Sequence, residues 1–421
     1  MKIAVFGATL QAAVMSALSA EMGHFVSWCP TEDLSHFQLS SLNLDIQLNL
    51  LIEKQIDSKF LNILDQQIID QEFDVYFFAF NPLNQDIALE LVQKLSEKPI
   101  IHPKLMINGS TFGLRGTEQL QKILSKDAWV YWPDMTQDGR SIESIMQAKS
   151  IVIGIDDQGF AKTQMQELLR PIFNRQEQIL FMPILDAEFT KLSISGMLAT
   201  RISYMNDLAL VAEKLNIDIE NVRLGLGADN RIGSSYLYPG AGFGGEHFSR
   251  DILTLSQTIS DSGNGSRLLQ QVWDINEQQK EILFRKFWNY YYSDIQGKTV
   301  AIWGAAFKEK SSSVVNSPIH HLLKAFWAQG VTVKLHDPKA LKEIEAIYGQ
   351  RADLIYCDDQ YDTAQDADAL CLLTAWKQYQ SPDYQKLKQL MKHPFILDGR
   401  NIYEPNFVKA QGFAYEGVGR L

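Results

Sequence analysis

Lys2–Ala12, KIAVFGATLQA, decides the fold. Lys2 to Phe6 is short and almost continuously apolar, the pattern of a strand buried on both faces. Gly7 follows at once. A run rich in small residues then extends from about Leu10 to Met22 and reads as a helix, with Gly23 placed to cap it. His24 to Trp28 reads as a second strand. Strand, tight turn, helix and strand form a βαβ opening, which predicts a parallel sheet.

The same alternation continues outward. Asp74 to Phe80 is a strand ending at Asn81-Pro82, Leu105 to Asn108 leads into Gly109-Ser110-Thr111, and Ile151 to Ile155 is another strand. From Ala187 to about Leu215 the strand signal stops. Leu192, Met197, Leu198, Ile202, Met205, Leu208, Ala209 and Ala212 recur at helical spacing, and a second helical stretch runs from about Leu268 to Trp288. Alternation resumes at Gly297, with strands at Thr299–Trp303, Val331–Leu335, Ala369–Leu373 and Phe395–Leu397. The fold class is therefore α/β: two Rossmann-like doubly wound domains joined by a central helical domain. The expected boundaries are 1–185, 186–295 and 296–421.

Length agrees, since 421 residues exceed one ordinary domain. A formal charge of −11 argues against a generic nucleic-acid binder, which needs a basic surface. It leaves room for an anionic small ligand in a local basic pocket. Cys29, Cys357 and Cys371 are odd in number and widely spaced, so neither a disulfide framework nor a metal motif is expected. A reduced, cytoplasmic setting fits them best. The N-terminus does not read as a signal peptide, and no run is apolar for long enough to span a bilayer.

The first turn has the position of a dinucleotide site. Such a turn usually reads G-x-G-x-x-G, so that backbone can approach a pyrophosphate at the helix N-terminus. Gly7 occupies the first glycine position, Thr9 the second and Ala12 the third. Thr9 is expected to crowd the pyrophosphate. The second strand ends Trp28-Cys29-Pro30, without the usual ribose-binding carboxylate, although Glu32 and Asp33 are close. No Arg or Lys stands at that end either, so the sequence gives no support for the 2′-phosphorylated cofactor.

Two other segments are more specific. One is Glu188-Phe189-Thr190-Lys191, continuing to Leu198-Ala199-Thr200-Arg201. The other is Asp229-Asn230-Arg231, followed by Pro239-Gly240-Ala241-Gly242-Phe243-Gly244-Gly245-Glu246-His247-Phe248-Ser249-Arg250-Asp251. Together with Asn108-Gly109-Ser110-Thr111, Gly304-Ala305-Ala306-Phe307-Lys308, Ser317-Pro318 and Asp398-Gly399-Arg400-Asn401, they resemble the UDP-glucose/GDP-mannose dehydrogenase family, in order and over essentially the whole chain.

The resemblance implies oxidation of a nucleotide-sugar 6-hydroxyl to a carboxylate with two NAD, through a cysteine-bound thioester. It implies cofactor contacts at Gly7, Thr9, Leu10, Pro82 and Thr111, and sugar-nucleotide contacts at Lys191, Arg231, Phe243, Gly244, Lys308 and Arg400. Thr111 matches a water-binding threonine, Lys191 an oxyanion-stabilising lysine and Asp251 a water-ordering aspartate. Arg231 would reach a neighbouring subunit in a homodimer formed through the central helix. No metal is implied.

Several positions depart from the family. His247 stands where the cysteine belongs, and imidazole does not replace a thiolate in making a stable acyl intermediate. Ser195 replaces an asparagine, and Asp134 and Asp138 replace glutamates, each a methylene shorter. Sugar-nucleotide positions survive better than cofactor and chemistry positions. The expectation is a dehydrogenase with impaired or altered chemistry. The alternatives are a nucleotide-sugar-binding pseudoenzyme that regulates an active homologue, and an assembly protein.

Overall fold

Because the strands of a parallel sheet are linked through helices, each glycine turn in this chain sits where a strand's carboxyl end meets a helix. The computed structural model describes every residue except 31–38, 43, 65, 99–103, 158, 174, 176, 177, 266 and 421, so Glu32 and Asp33 lie outside the described residues. Two units are resolved, Met1–Ser193 and Ile194–Leu421.

The first unit contains β1 (Lys2–Phe6), β2 (Phe25–Cys29), β3 (Leu61–Ile63), β4 (Val75–Phe78), β5 (Leu105–Asn108), β6 (Ala128–Tyr131), β7 (Ile151–Ile155) and β8 (Ile179–Met182). Their order is β3-β2-β1-β4-β5-β6-β7-β8. All neighbours are parallel except β6 and β7. Chain order reverses between β1 and β4, the switch point where a doubly wound sheet opens a crevice. Phe6 is in register with both Cys29 and Phe78, which brings Gly7, Pro30 and Ala79 level at that edge.

The helix Leu10–Glu21 covers this sheet with small residues, and Gln11 through Ala20 are all buried. Alanine and serine side chains let the helix backbone approach the strands closely. Apolar clusters fill both faces of the sheet, one around Val5, Leu48, Phe77 and Ile107, the other around Phe6, Phe78, Met106 and Tyr131.

The second unit contains β9 (Thr299–Trp303), β10 (Thr332–His336), β11 (Leu354–Tyr356), β12 (Ala369–Leu372), β13 (Phe395–Asp398) and β14 (Ala414–Gly417). The order β11-β10-β9-β12-β13-β14 is parallel throughout, with the switch between β9 and β12. One core joins this sheet to Met205, Ala209 and Ala212 of the long helix Ile184–Leu215 and to Leu283 and Phe287 of the helix Ile282–Tyr290. The expected helical stretch 268–288 is two helices, Arg267–Gln279 and Ile282–Tyr290. No glycine or proline marks the break at Lys280-Glu281 in the sequence.

Candidate functional site

In the first unit, Gly7 has φ +118°, and a Cβ there would lie 2.0 Å from the Ala79 carbonyl oxygen. Only glycine fits. The Gly7 N–H donates to the Cys29 carbonyl at 3.0 Å, and the Trp28 indole N–H donates to the Gly7 carbonyl at 2.9 Å. Strand ends and turn thus form one rigid rim.

Thr9 has φ −118°, so its backbone does not require glycine. Its hydroxyl donates to the Ala79 carbonyl at 2.9 Å and accepts from Ala12 N–H at 3.1 Å. Thr9 therefore caps the helix, taking one of the donors a phosphate would use. The Ala13 N–H returns to the Thr9 carbonyl. Leu10 and Gln11 contribute the remaining first-turn N–H groups, which suits a phosphate at a helix N-terminus.

Beside this turn lies a cavity of about 190 Å³ at the carboxyl ends of β1 and β2. Its walls include Phe6, Cys29, Pro30, Ile69, Phe80 and Leu91. A largely apolar slot at the switch point lies where doubly wound sheets open a ligand crevice. Pro82 opens the short turn after β4, where the Asn81 side chain accepts from Leu83 N–H. Thr111 is half-buried. Ser110, just before it, is fixed by accepting from Phe80 N–H at 2.8 Å, while its own N–H donates to the Asn108 side chain. Asp134 is half-buried and accepts from both the backbone and the hydroxyl of Thr136; Asp138 is exposed.

Glu188 is a residue whose part in the fold the sequence reading missed. It is buried and accepts from Arg115 N–H at 2.6 Å and Thr117 N–H at 2.9 Å, pinning the start of the helix Gly116–Ile123 to the long helix. Burial pushes its carboxyl above the usual range even against those two hydrogen bonds. Lys191 lies one turn further along, half-buried.

In the second unit, Ser195 and Asp251 are both buried, and the serine hydroxyl donates to the carboxylate at 2.7 Å. Ser195 therefore holds the Asp251 carboxylate. His247 is exposed on the first turn of the helix Glu246–Asp261. The two thiols of this unit are both buried. Cys371 is enclosed in β12 and Cys357 is buried beyond β11, and burial pushes both thiols up.

The glycine loop before that helix is held by side chains invisible to motif reading. The Asn206 carbonyl oxygen accepts from Gly240 N–H, and Gln279 donates to the Gly240 carbonyl. The Asn276 amide takes both backbone groups of Phe243, at 2.7 and 3.1 Å. A Cβ on Gly244 would stand 2.5 Å from the Asn316 carbonyl oxygen, so this glycine permits a backbone-to-backbone approach. The Phe243 ring is buried against Phe248 and Trp273.

Arg400 follows β13, and its guanidinium lies among backbone carbonyls. Nε donates to Leu373 at 2.6 Å, and the terminal nitrogens donate to Phe307 at 3.3 Å and Gly242 at 3.5 Å. These carbonyls come from the carboxyl ends of β9 and β12 and from the glycine loop. Burial lowers its pKa to about 10, against the pull of the nearby Asp398 carboxylate. Lys308, half-buried, stands 5.4 Å from the centre of the Phe307 ring. Arg231 is exposed and makes a forked pair with Asp229 at 3.0 and 2.7 Å. The glycine turn of this unit is already occupied: one Asp337 oxygen accepts from Ala305 N–H, Ala306 N–H and the Trp376 indole, at 2.7, 3.1 and 3.1 Å.

Two doubly wound units, one with an open glycine turn and an apolar slot, the other with a glycine loop and a carbonyl-held arginine, have the layout of a two-Rossmann nucleotide-sugar protein. Residues 185–278 match the central domain of the UDP-glucose/GDP-mannose dehydrogenase family, and residues 301–405 match its UDP-binding domain. A UDP-glucose 6-dehydrogenase of Pseudomonas aeruginosa is 31% identical over 444 residues, covering 100% of this chain and 98% of that protein. UDP-glucose 6-dehydrogenase TuaD of Bacillus subtilis is 29% identical over 443 residues, covering 100% and 93%. The chain belongs to the UDP-glucose/GDP-mannose dehydrogenase family. Its fold is that of a UDP-glucose dehydrogenase from Pyrobaculum islandicum, with a TM-score of 0.87 at 22% identity over 100% of this chain and 98% of that one.

Proposed function

We propose that this chain binds a UDP- or GDP-sugar through its second unit and oxidises the sugar 6-hydroxyl by two electrons, to the aldehyde, without the thioester stage. Arg400 carries the binding half of this reading. A half-buried guanidinium whose side chain donates to three backbone carbonyls can still pair with an anion, and a diphosphate supplies one. Lys308 adds a second cation.

His247 carries the chemical half. Without a thiol no thioester forms, and the aldehyde is released or hydrated. In the oxidation a hydride leaves C6 and the O6 proton passes to a base. A nicotinamide dinucleotide, when bound, accepts the hydride; the resemblance expects NAD. Asp251, oriented by Ser195, is suited to take the proton directly or through water. The resemblance gives Lys191, in the first unit, as an oxyanion-stabilising lysine.

The chain also acts as a homodimer in this reading. Met197, Tyr204 and Val211 are exposed on the long helix at seven-residue intervals, an apolar stripe suited to a second copy. A cytoplasmic setting fits its three buried cysteines, none of which is in a disulfide.

The test is a panel of nucleotide sugars with excess dinucleotide, following reduced cofactor and product together, with each sugar also assayed alone for a melting shift. One reduced cofactor per aldehyde supports the proposal. Two per acid would overturn it. A melting shift without turnover supports the second reading, a binding pseudoenzyme acting as regulator or assembly partner, which the same exposed His247 favours.

A further inference from the structure

Glu188 does more than fill the interior. Its carboxylate is buried, and its partners are the backbone N–H groups of Arg115 and Thr117 and the Thr117 hydroxyl. A carboxylate is costly to bury, and apolar contacts alone would join two helices as well. What the carboxylate adds is direction, because it fixes two backbone N–H groups at set positions.

Those groups close the loop that follows β5. The Asn108 side chain, at the end of β5, donates to the Thr117 hydroxyl at 2.9 Å and accepts from Ser110 N–H at 2.9 Å. Asn108, Thr117 and Glu188 are all buried, and they form one chain of hydrogen bonds across the base of the loop that carries Thr111. At the far end of this loop Arg115 has φ +64°, a left-handed backbone that a residue with a Cβ adopts at a cost. Backbone of this kind persists where its surroundings hold it, and it collects at functional sites. Here Glu188 holds it, through the Arg115 N–H.

Lys191 stands three residues after Glu188 in the same helix, and side chains three apart share a face. One carboxylate therefore ties the loop that carries Thr111 to the helical turn that carries Lys191. We propose that Glu188 is a positioning residue of the oxidation: through Thr117 and Asn108 it sets Thr111 in place relative to Lys191. The inference rests on the dehydrogenase reading and on the parts the resemblance gives those two residues, water binding at Thr111 and oxyanion stabilisation at Lys191.

The test is steady-state kinetics of the whole chain, with NAD⁺ in excess and the sugar nucleotide of the panel that it turns over fastest. Glu188→Gln keeps the shape of the side chain but leaves one acceptor oxygen for two N–H groups. Thr117→Val also keeps the shape and removes the hydroxyl that joins Asn108 to Glu188. Both variants are assayed well below their melting temperatures, where a role in stability alone leaves kcat unchanged. Glu188→Gln should lower kcat about tenfold and Thr117→Val about fivefold, within what a small misplacement of reacting groups costs. KM for the sugar nucleotide should stay within about twofold, since the second unit holds the nucleotide in this reading. A folded Glu188→Gln with kcat within about twofold of the parent, or with a rise in KM larger than its fall in kcat, overturns the inference and leaves the dehydrogenase reading standing. If Glu188→Gln does not fold, Thr117→Val decides by the same criteria. A folded parent that reduces no dinucleotide with any sugar of the panel overturns both.

Discussion

Replacing Asn276 by alanine tests whether the glycine loop is held as described. Asn276 is fully buried, and its amide satisfies the N–H and the carbonyl of Phe243 at once. Alanine leaves both backbone groups without a partner in the protein interior. Each such orphan costs about 1–3 kcal/mol, so the pair costs about 2–6 kcal/mol. The lower half of that range is expected, because the vacated amide leaves space for water to bond one of them. The consequence is also local. Gly242, whose carbonyl accepts from Arg400, lies next to Phe243 and loses its anchor. Urea unfolding of Asn276→Ala should therefore show a loss of at least about 2 kcal/mol, and hydrogen exchange should be faster at the Phe243 amide. Asn406→Ala, which removes an exposed amide bonded to Glu404, is the control and should stay within about 0.5 kcal/mol. A change below about 0.5 kcal/mol in Asn276→Ala, with Phe243 exchange unaltered, would refute the argument.

Other consequences are simpler to test. Ser195→Ala strips a buried carboxylate of its hydroxyl donor and should cost about 1.5–3 kcal/mol, read by thermal melting. Gly244→Ala forces a Cβ to within 2.5 Å of a carbonyl oxygen and should destabilise by about 1–3 kcal/mol; an unchanged melting temperature would contradict the close approach. His247→Cys puts a thiol on an exposed first helical turn, where the helix N-terminus favours the thiolate. It should be alkylated far faster than the buried Cys29, Cys357 and Cys371, as mass spectrometry would show. If the aldehyde reading holds, the same variant should also form acid from a nucleotide sugar.

The long strands and the long helix were legible because their patterns are strong. β1 and β9 are five-residue, largely apolar runs ending at a glycine, and the helix Ile184–Leu215 repeats its apolar residues at helical spacing. The strands β3, β8, β11 and β14 span only three or four residues each, too few for a period to declare itself. The family was legible through ordered motifs. Their support was not. Asn206, Asn276 and Gln279 read as ordinary polar helix residues, and only the fold reveals that they turn inward to bind the glycine loop. Thr9 shows a different limit: the sequence does not reveal that its hydroxyl bonds Ala79 and Ala12.

The carboxylate of Asp337 has a bearing on counting. Phosphate and carboxylate are interchangeable to a row of backbone N–H groups, since both offer anionic oxygens at hydrogen-bonding distance. In the second unit the chain carries its own anion on that row, covalently tethered and therefore present at an effective concentration no free ligand reaches. The two sheets share a strand order around the switch but are not two equivalent seats. However high the dinucleotide concentration, titration should saturate at one molecule per chain, and the seat that fills is the one with the open turn at Gly7.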